Sequence, residues 1–379
     1  MLERRKFIIS AVAGATALLA NPRFAFARAA TEKRFLFIIQ RGAADGLGTL
    51  GATGDPAYAG LRGDFAADLA TGTRVDPMFT LHPALAQTAK LYAGRQALFV
   101  HAVASPYRDR SHFDGQNVLE SGAAGAYRLS DGWMNRLLGQ LPGGKAIALS
   151  PAVPLALRGA IPVESYAPSA LPDAADDLML RVGDLYARDA QLGPLWNQAL
   201  AARTKAGDVA AGRGGAALGA LAARQMSGPD GARIGVIETN GWDTHSGQRG
   251  RLAAQLKSLD ETVGAFRSGL GPAWNDTLVL VATEFGRTAR VNGTGGTDHG
   301  TGAMAMLLGG AVAGGRVIAD WPGLGANALY EGRDLKPTID LDALVAGALA
   351  QHFALDPVRS MAKLFPESRG TPFAQKLIV

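Results

Sequence analysis

Four short, almost wholly apolar runs set the limits on how this chain can fold. Arg34 to Gln40 (RFLFIIQ), Gln96 to Ala104 (QALFVHAVA), Ile234 to Glu238 and Thr277 to Thr283 (TLVLVAT) are rich in β-branched and bulky residues, and each runs into a polar turn. Apolarity without alternation marks strands buried on both faces. Leu81 to Ala93 and Leu252 to Phe266 carry helical spacing between them. Strands alternating with helices predict an α/β fold, a three-layer αβα arrangement around a mostly parallel central sheet. Ala303 to Leu308 is also apolar, but a run this short does not decide between helix and strand. From about Asp173 to Gln225 the chain is rich in Ala, Leu and Arg at helical spacing, broken by glycines at 211–216, and reads as a helical insertion about 173–225. Asp340 to Phe353 reads as one more amphipathic helix.

The first 29 residues are of a different kind. A charged start with Arg4, Arg5 and Lys6 leads into an apolar run from Phe7 to Ala20, followed by small residues. Those are the three parts of an export signal. Arg4-Arg5-x-Phe7-Ile8 resembles the twin-arginine consensus, with cleavage expected after Ala27 or Ala29. The apolar run falls short of the roughly 20 residues that span a bilayer, so no stable transmembrane anchor is expected. The expected course is folding in the cytoplasm, passage through the twin-arginine translocase, and work in the periplasm or beyond. Residues 30–379 are then read as a single domain.

Charge and cysteine narrow the chemistry. The net charge of +5 owes most of its excess to that first segment, which holds five Lys or Arg and a single acid, Glu3. The remainder is nearly neutral and has no dense Lys/Arg block interleaved with aromatics, so nucleic acid is excluded as a partner. The chain has no cysteine. Disulfides are therefore ruled out, and any metal must be held by His, Asp, Glu or hydroxyl groups.

In an open parallel sheet, ligands bind beyond the carboxyl ends of the strands. Every candidate strand sends ionisable groups there: the first ends at Asp45, the second runs toward Arg110-Ser111-His112-Phe113-Asp114, the third toward Asp243-Thr244-His245, and the fourth into Glu284-Phe285-Gly286-Arg287, with Asp298-His299 beyond. Three of the six histidines lie in these segments, each within two residues of an acid, whereas His82, His101 and His352 sit in apolar or helical surroundings. Asp243 and His245 are two apart, so an extended segment points both the same way. Asp298 and His299 are adjacent and share a target only on an irregular loop, which the nearby glycines permit. Taken singly each has an ordinary reading: Asp45 before Gly46 is a turn residue, Asp298 a helix cap, Glu284 with Arg287 a local ion pair. Their shared position after successive strands is what points to a metal site. Ser111 precedes an expected helix from about His112 to Glu120, where it is either an N-cap or, with backbone N–H groups favouring a developing negative charge, a nucleophile.

At these segments the chain resembles an exported family known as domain of unknown function 1501 (DUF1501), grouped with the alkaline phosphatase and sulfatase superfamily. The residues that carry the resemblance are Arg41 to Gly46, His101 to Val103 with Arg110 to Asp114, Asn240 to His245, Glu284 to Thr288, Gly296 to Gly300 and Asp320-Trp321-Pro322. The resemblance implies an alkaline-phosphatase-like fold that holds two metal ions, and imidazole and carboxylate ligands without thiolate suit one or two divalent ions, Zn, Mn or Ca. It puts Asp45 at the first metal-binding Asp, Ser111 at the nucleophile, Asp243 and His245 on one metal, and His299 at the last metal-binding His. Glu284 stands where the superfamily usually has Asp, and Phe285 where it usually has His or Asn. His112 or Asp298 would then make up the missing ligand. The implied activity is metal-dependent hydrolysis of phosphate or sulfate esters, on a small-molecule or polysaccharide substrate, with Arg41, Arg110 or Arg287 gripping the oxygens of the anion. The alternative is a non-catalytic, metal-stabilised binding or assembly protein with a degenerate hydrolase site.

Overall fold

The computed structural model describes residues 31–168, 176–206 and 214–379. The expected export signal, residues 1–29, lies outside the described residues. Among the described residues, nine strands form the central sheet: β1 (Arg34–Gln40), β2 (Ala97–Ala104), β3 (Ala146–Ala148), β4 (Glu164–Ser165), β5 (Ile234–Thr239), β6 (Thr277–Ala282), β7 (Ala303–Leu308), β8 (Arg316–Ile318) and β9 (Ile339–Asp340). Their order is β8-β2-β7-β6-β1-β5-β3-β4, with β9 also paired to β2. β1 lies in the middle, parallel to β5 on one side and to β6 on the other. Ala303–Leu308, which the sequence left open, is a strand, and it runs antiparallel to both β2 and β6.

β1, β2, β6 and β7 are largely apolar and buried along their whole length because both faces of the sheet are covered. Along β1, Phe35, Phe37 and Ile39 pack into one core with Trp133, Leu137, Leu344 and Leu349. Leu36 and Ile38 point the other way, into a second core with Leu221, Leu256, Leu259 and Val263. Helices α1 (Ala86–Ala93), α2 (His112–Ser121), α3 (Trp133–Leu138), α4 (Gly214–Met226), α5 (Gln248–Leu270), α6 (Leu341–Phe353) and α7 (Pro357–Leu364) flank the sheet and its loops. α3, α6 and α7 line the first core, and α1, α4 and α5 the second. This is the three-layer α/β arrangement that the apolar runs predicted.

The expected insertion about 173–225 needs correction at its far end. Residues 176–206 do form two helices, Asp176–Tyr186 and Leu192–Ala206. α4, however, belongs to the layer that covers the sheet, with Leu221, Ala222, Ala223 and Met226 buried in the second core. A Cβ at Gly219 would stand 2.1 Å from the Thr262 carbonyl oxygen, so the backbones of α4 and α5 meet at a distance only glycine allows. Among the described residues, no helix is long and apolar enough to cross a membrane.

Candidate metal centre

β1 pairs in parallel with β5 and β6, and β2, antiparallel to β7 as β6 is, runs the same way, so the carboxyl ends of all four reach one edge of the sheet. β7 runs the opposite way, so the loop that leads into it reaches the same edge. That reversal is what places Asp298 and His299 beside residues that follow the other strands. The loops then close tightly. Gly42 has φ +116°, and a Cβ there would stand 2.5 Å from the Asp243 amide nitrogen.

Asp243 is the centre of the cluster. Its Oδ1 lies 3.0 Å from His245 Nε2 and 3.4 Å from His299 Nε2, and its Oδ2 lies 3.5 Å from His112 Nε2. Arg287 Nη1 donates to Oδ1 at 3.0 Å. Burial opposes ionisation of Asp243, but Arg287 and the three histidines outweigh it and hold its carboxyl below the usual range. The ligand-capable atoms of His112, Asp243 and His299 lie within 4.8 Å of one another. The side chains of Asp243 and His245 are nearly half exposed, at 44% and 46%, so the cluster opens to solvent and a ligand can reach it.

Each ring is held from behind. His112 Nδ1 lies 2.8 Å from Glu284 Oε1, His245 Nδ1 3.1 Å from Asp298 Oδ1, and His299 Nδ1 2.9 Å from the Arg110 carbonyl oxygen. A carbonyl or an ionised carboxylate only accepts, so the Nδ1 atoms carry protons and the Nε2 atoms turn toward Asp243. Glu284 is fully buried and saturated: its carboxylate also accepts from the Gly42 amide at 2.8 Å, Gln116 Nε2 at 3.2 Å and Thr283 Oγ1 at 2.9 Å. Burial pushes against its ionisation, and the bonds from His112, Gln116 and Gly42 hold its carboxyl below the usual range. The bond to Glu284 in turn raises the His112 imidazole. Burial, helped by the charge of His112, lowers the His299 imidazole. Phe285 supplies a wall, its ring centre 5.1 Å from that of His112 and 5.4 Å from that of His299.

Several expected roles change with this geometry. Glu284 and Asp298 stand on the Nδ1 side of histidines, as supports rather than among the converging atoms. His112, expected only to make up a missing ligand, is one of the converging set. Asp45 is elsewhere: 1% exposed, it accepts from the Gly48 amide and from Gln248, and it is ion-paired with the buried Arg62. The Arg110 guanidinium is tied to Asp334 and Glu331, so Arg110 reaches the cluster through its carbonyl. Arg41 is likewise taken up by Glu238, Glu120 and Gln116. Arg287 differs, since its Nε and Nη2 are buried and have no hydrogen-bond partner. Ser111 occupies the N-cap position of α2, with extended backbone, yet its side chain makes no capping bond. The sequence reading missed Arg62, Gln248 and Gln116, whose polar side chains become legible only when the loops are brought together.

Several solved structures resemble the chain at low sequence identity. A 2-O GAG sulfatase aligns with 90% of this chain and 76% of its own, at 9% identity and a TM-score of 0.38. A phosphonate monoester hydrolase of Agrobacterium radiobacter aligns with 76% of this chain and 70% of its own, at 12% identity and a TM-score of 0.33. No curated protein matches the chain in sequence. The family described as "Protein of unknown function (DUF1501)" matches residues 101–365, which take in His112, Asp243, His245, Glu284 and His299. The chain belongs to the DUF1501 family.

Proposed function

We propose that this chain is an exported, metal-dependent hydrolase of phosphate or sulfate esters. One observation carries the reading: the Nε2 atoms of His112, His245 and His299 each face the Asp243 carboxylate, and two of those nitrogens, on His245 and His299, lie 3.0 Å apart. With both Nδ1 atoms protonated, that spacing sets two lone pairs against each other unless a proton or a cation lies between them. His112, Asp243, His245 and His299 are the residues that would hold the ion. Three nitrogens and one oxygen favour Zn or Mn over Ca, which takes six to eight oxygens. Such an ion, when bound, polarises an ester and stabilises a leaving oxygen.

The chain's own residues would do the rest. Ser111, directly before His112 and free of a capping bond, is the nucleophile: its Oγ forms a bond to phosphorus or sulfur as the ester P–O or S–O bond breaks, the hydroxyl proton passes to the leaving oxygen, and water then releases phosphate or sulfate from the serine. Arg287, buried and paired with Asp243 through Nη1, would lend its positive charge to the anion from behind Asp243. The twin-arginine segment at Arg4-Arg5 supports export to the periplasm. A second reading, a metal-stabilised binding or assembly protein, draws support from Asp45, whose carboxylate is committed to Arg62 where a two-metal hydrolase needs a ligand. Assay of the purified chain on generic phosphate and sulfate esters separates the two. Turnover abolished in Ser111→Ala, with metal content retained, supports the hydrolase. Metal without Ser111-dependent turnover supports the binding protein.

A further inference from the structure

A buried hydrogen-bonded network ties together the loops that carry the cluster. Asp45 lies where the resemblance expects a ligand for it, but its carboxylate is paired with Arg62, which is 0% exposed. Gln248, the first residue of α5 and also 0% exposed, donates from Nε2 to the same Asp45 Oδ2 that pairs with Arg62. Its Oε1 accepts from Thr244 Oγ1 at 3.0 Å and from Thr297 Oγ1 at 2.6 Å. Thr244 sits between Asp243 and His245, and Thr297 directly precedes Asp298 and His299. One amide therefore ties together the two loops that carry most of the converging groups. The Arg62 guanidinium supplies the positive charge that Asp45 would otherwise take from an ion.

We propose that the chain holds a single divalent ion, and that the relay Arg62–Asp45–Gln248–Thr244/Thr297 stands in for the second one by fixing the loops that hold the first. Gln248 acts here as a positioning residue. The inference rests on the metal reading above, and its test separates the two. Chelator-stripped full chain is titrated with Zn²⁺ and with Mn²⁺ in a calorimeter, with bound metal counted independently by elemental mass spectrometry. The expected wild-type stoichiometry is one ion per chain. Gln248→Ala, checked for folding by circular dichroism, is expected to bind that ion about tenfold to a hundredfold more weakly, the usual effect of removing a group that orients ligands. Thr297→Val, which deletes one hydrogen bond of the relay, is expected to weaken it by a smaller factor, and it carries the test where Gln248→Ala does not fold. Arg62→Lys, keeping the charge, should still bind one ion. Two ions in the wild type would overturn the inference and leave the metal reading standing. Unchanged affinity in both Gln248→Ala and Thr297→Val would also overturn it, and no bound ion in the wild type would sink both.

Discussion

His245 Nε2 stands 3.0 Å from His299 Nε2, while both rings turn Nδ1 the other way, to Asp298 and to the Arg110 carbonyl. Any ion that enters this space competes with protons for imidazole nitrogens. His112, whose pKa is raised by Glu284, extends that competition above the ordinary histidine range. Metal affinity is therefore predicted to fall as pH drops through that raised value, by about tenfold per pH unit for each proton displaced. Titration in buffers of different ionisation enthalpy should show proton release on binding. No release, and no fall in affinity between pH 8 and 6, would count against the histidines as ligands.

Glu284→Gln tests the support behind His112. The substitution keeps size but removes the charge that holds the Nδ1 proton in place, and a loss of about 10- to 100-fold in metal affinity is expected. A folded Glu284→Gln protein with unchanged affinity would show that Glu284 only fills space.

Acid should unfold the protein through histidines outside the cluster. Burial lowers His101 and His352 to about 4. His101 Nδ1 accepts from the Ala102 amide at 2.9 Å while Nε2 faces the Leu50 carbonyl at 2.9 Å, so its neutral ring is satisfied and a second proton would break a bond. A depressed histidine leaves stability intact above the unfolded value near 6.5 and removes it as pH falls toward 4. Each contributes up to about 3 kcal/mol across that window. Melting temperatures measured from pH 7 to 4 should fall, and His352→Gln should flatten the fall relative to its own value at pH 7. A profile with the same slope in that variant would contradict the assignment.

Gly42→Ala is expected to cost more than an ordinary loop substitution. Its φ of +116° and the 2.5 Å approach to the Asp243 amide both penalise a Cβ, and a loss of about 2 kcal/mol or more follows. Urea denaturation would measure it, and a change under about 0.5 kcal/mol would show that the loop yields freely.

Much of the fold was legible because burial on both faces writes itself as unbroken apolar runs: β1, β2, β5 and β6 all fall on such runs. β7 escaped assignment since six apolar residues suit helix and strand equally, and its reversed direction, decisive for His299, leaves no local mark. The site was legible as a set of residues but not as a set of roles. Strand ends told which side chains share an edge; they could not tell that Glu284 would lie behind His112 or that Arg62, from a helix of its own, would pair with Asp45. Those relations depend on loop conformations fixed by contacts distant in sequence, such as Gln248 with Thr297.

The central claim is that His112, Asp243, His245 and His299 together hold a divalent ion. Elemental mass spectrometry on the purified chain, beside His299→Ala and Asp243→Asn proteins shown to be folded, tests it most directly. A stoichiometric transition metal is expected in the wild type, lost or sharply reduced in both variants. A wild-type chain free of metal after preparation in Zn- or Mn-supplemented medium, or variants that keep the full complement, would contradict it.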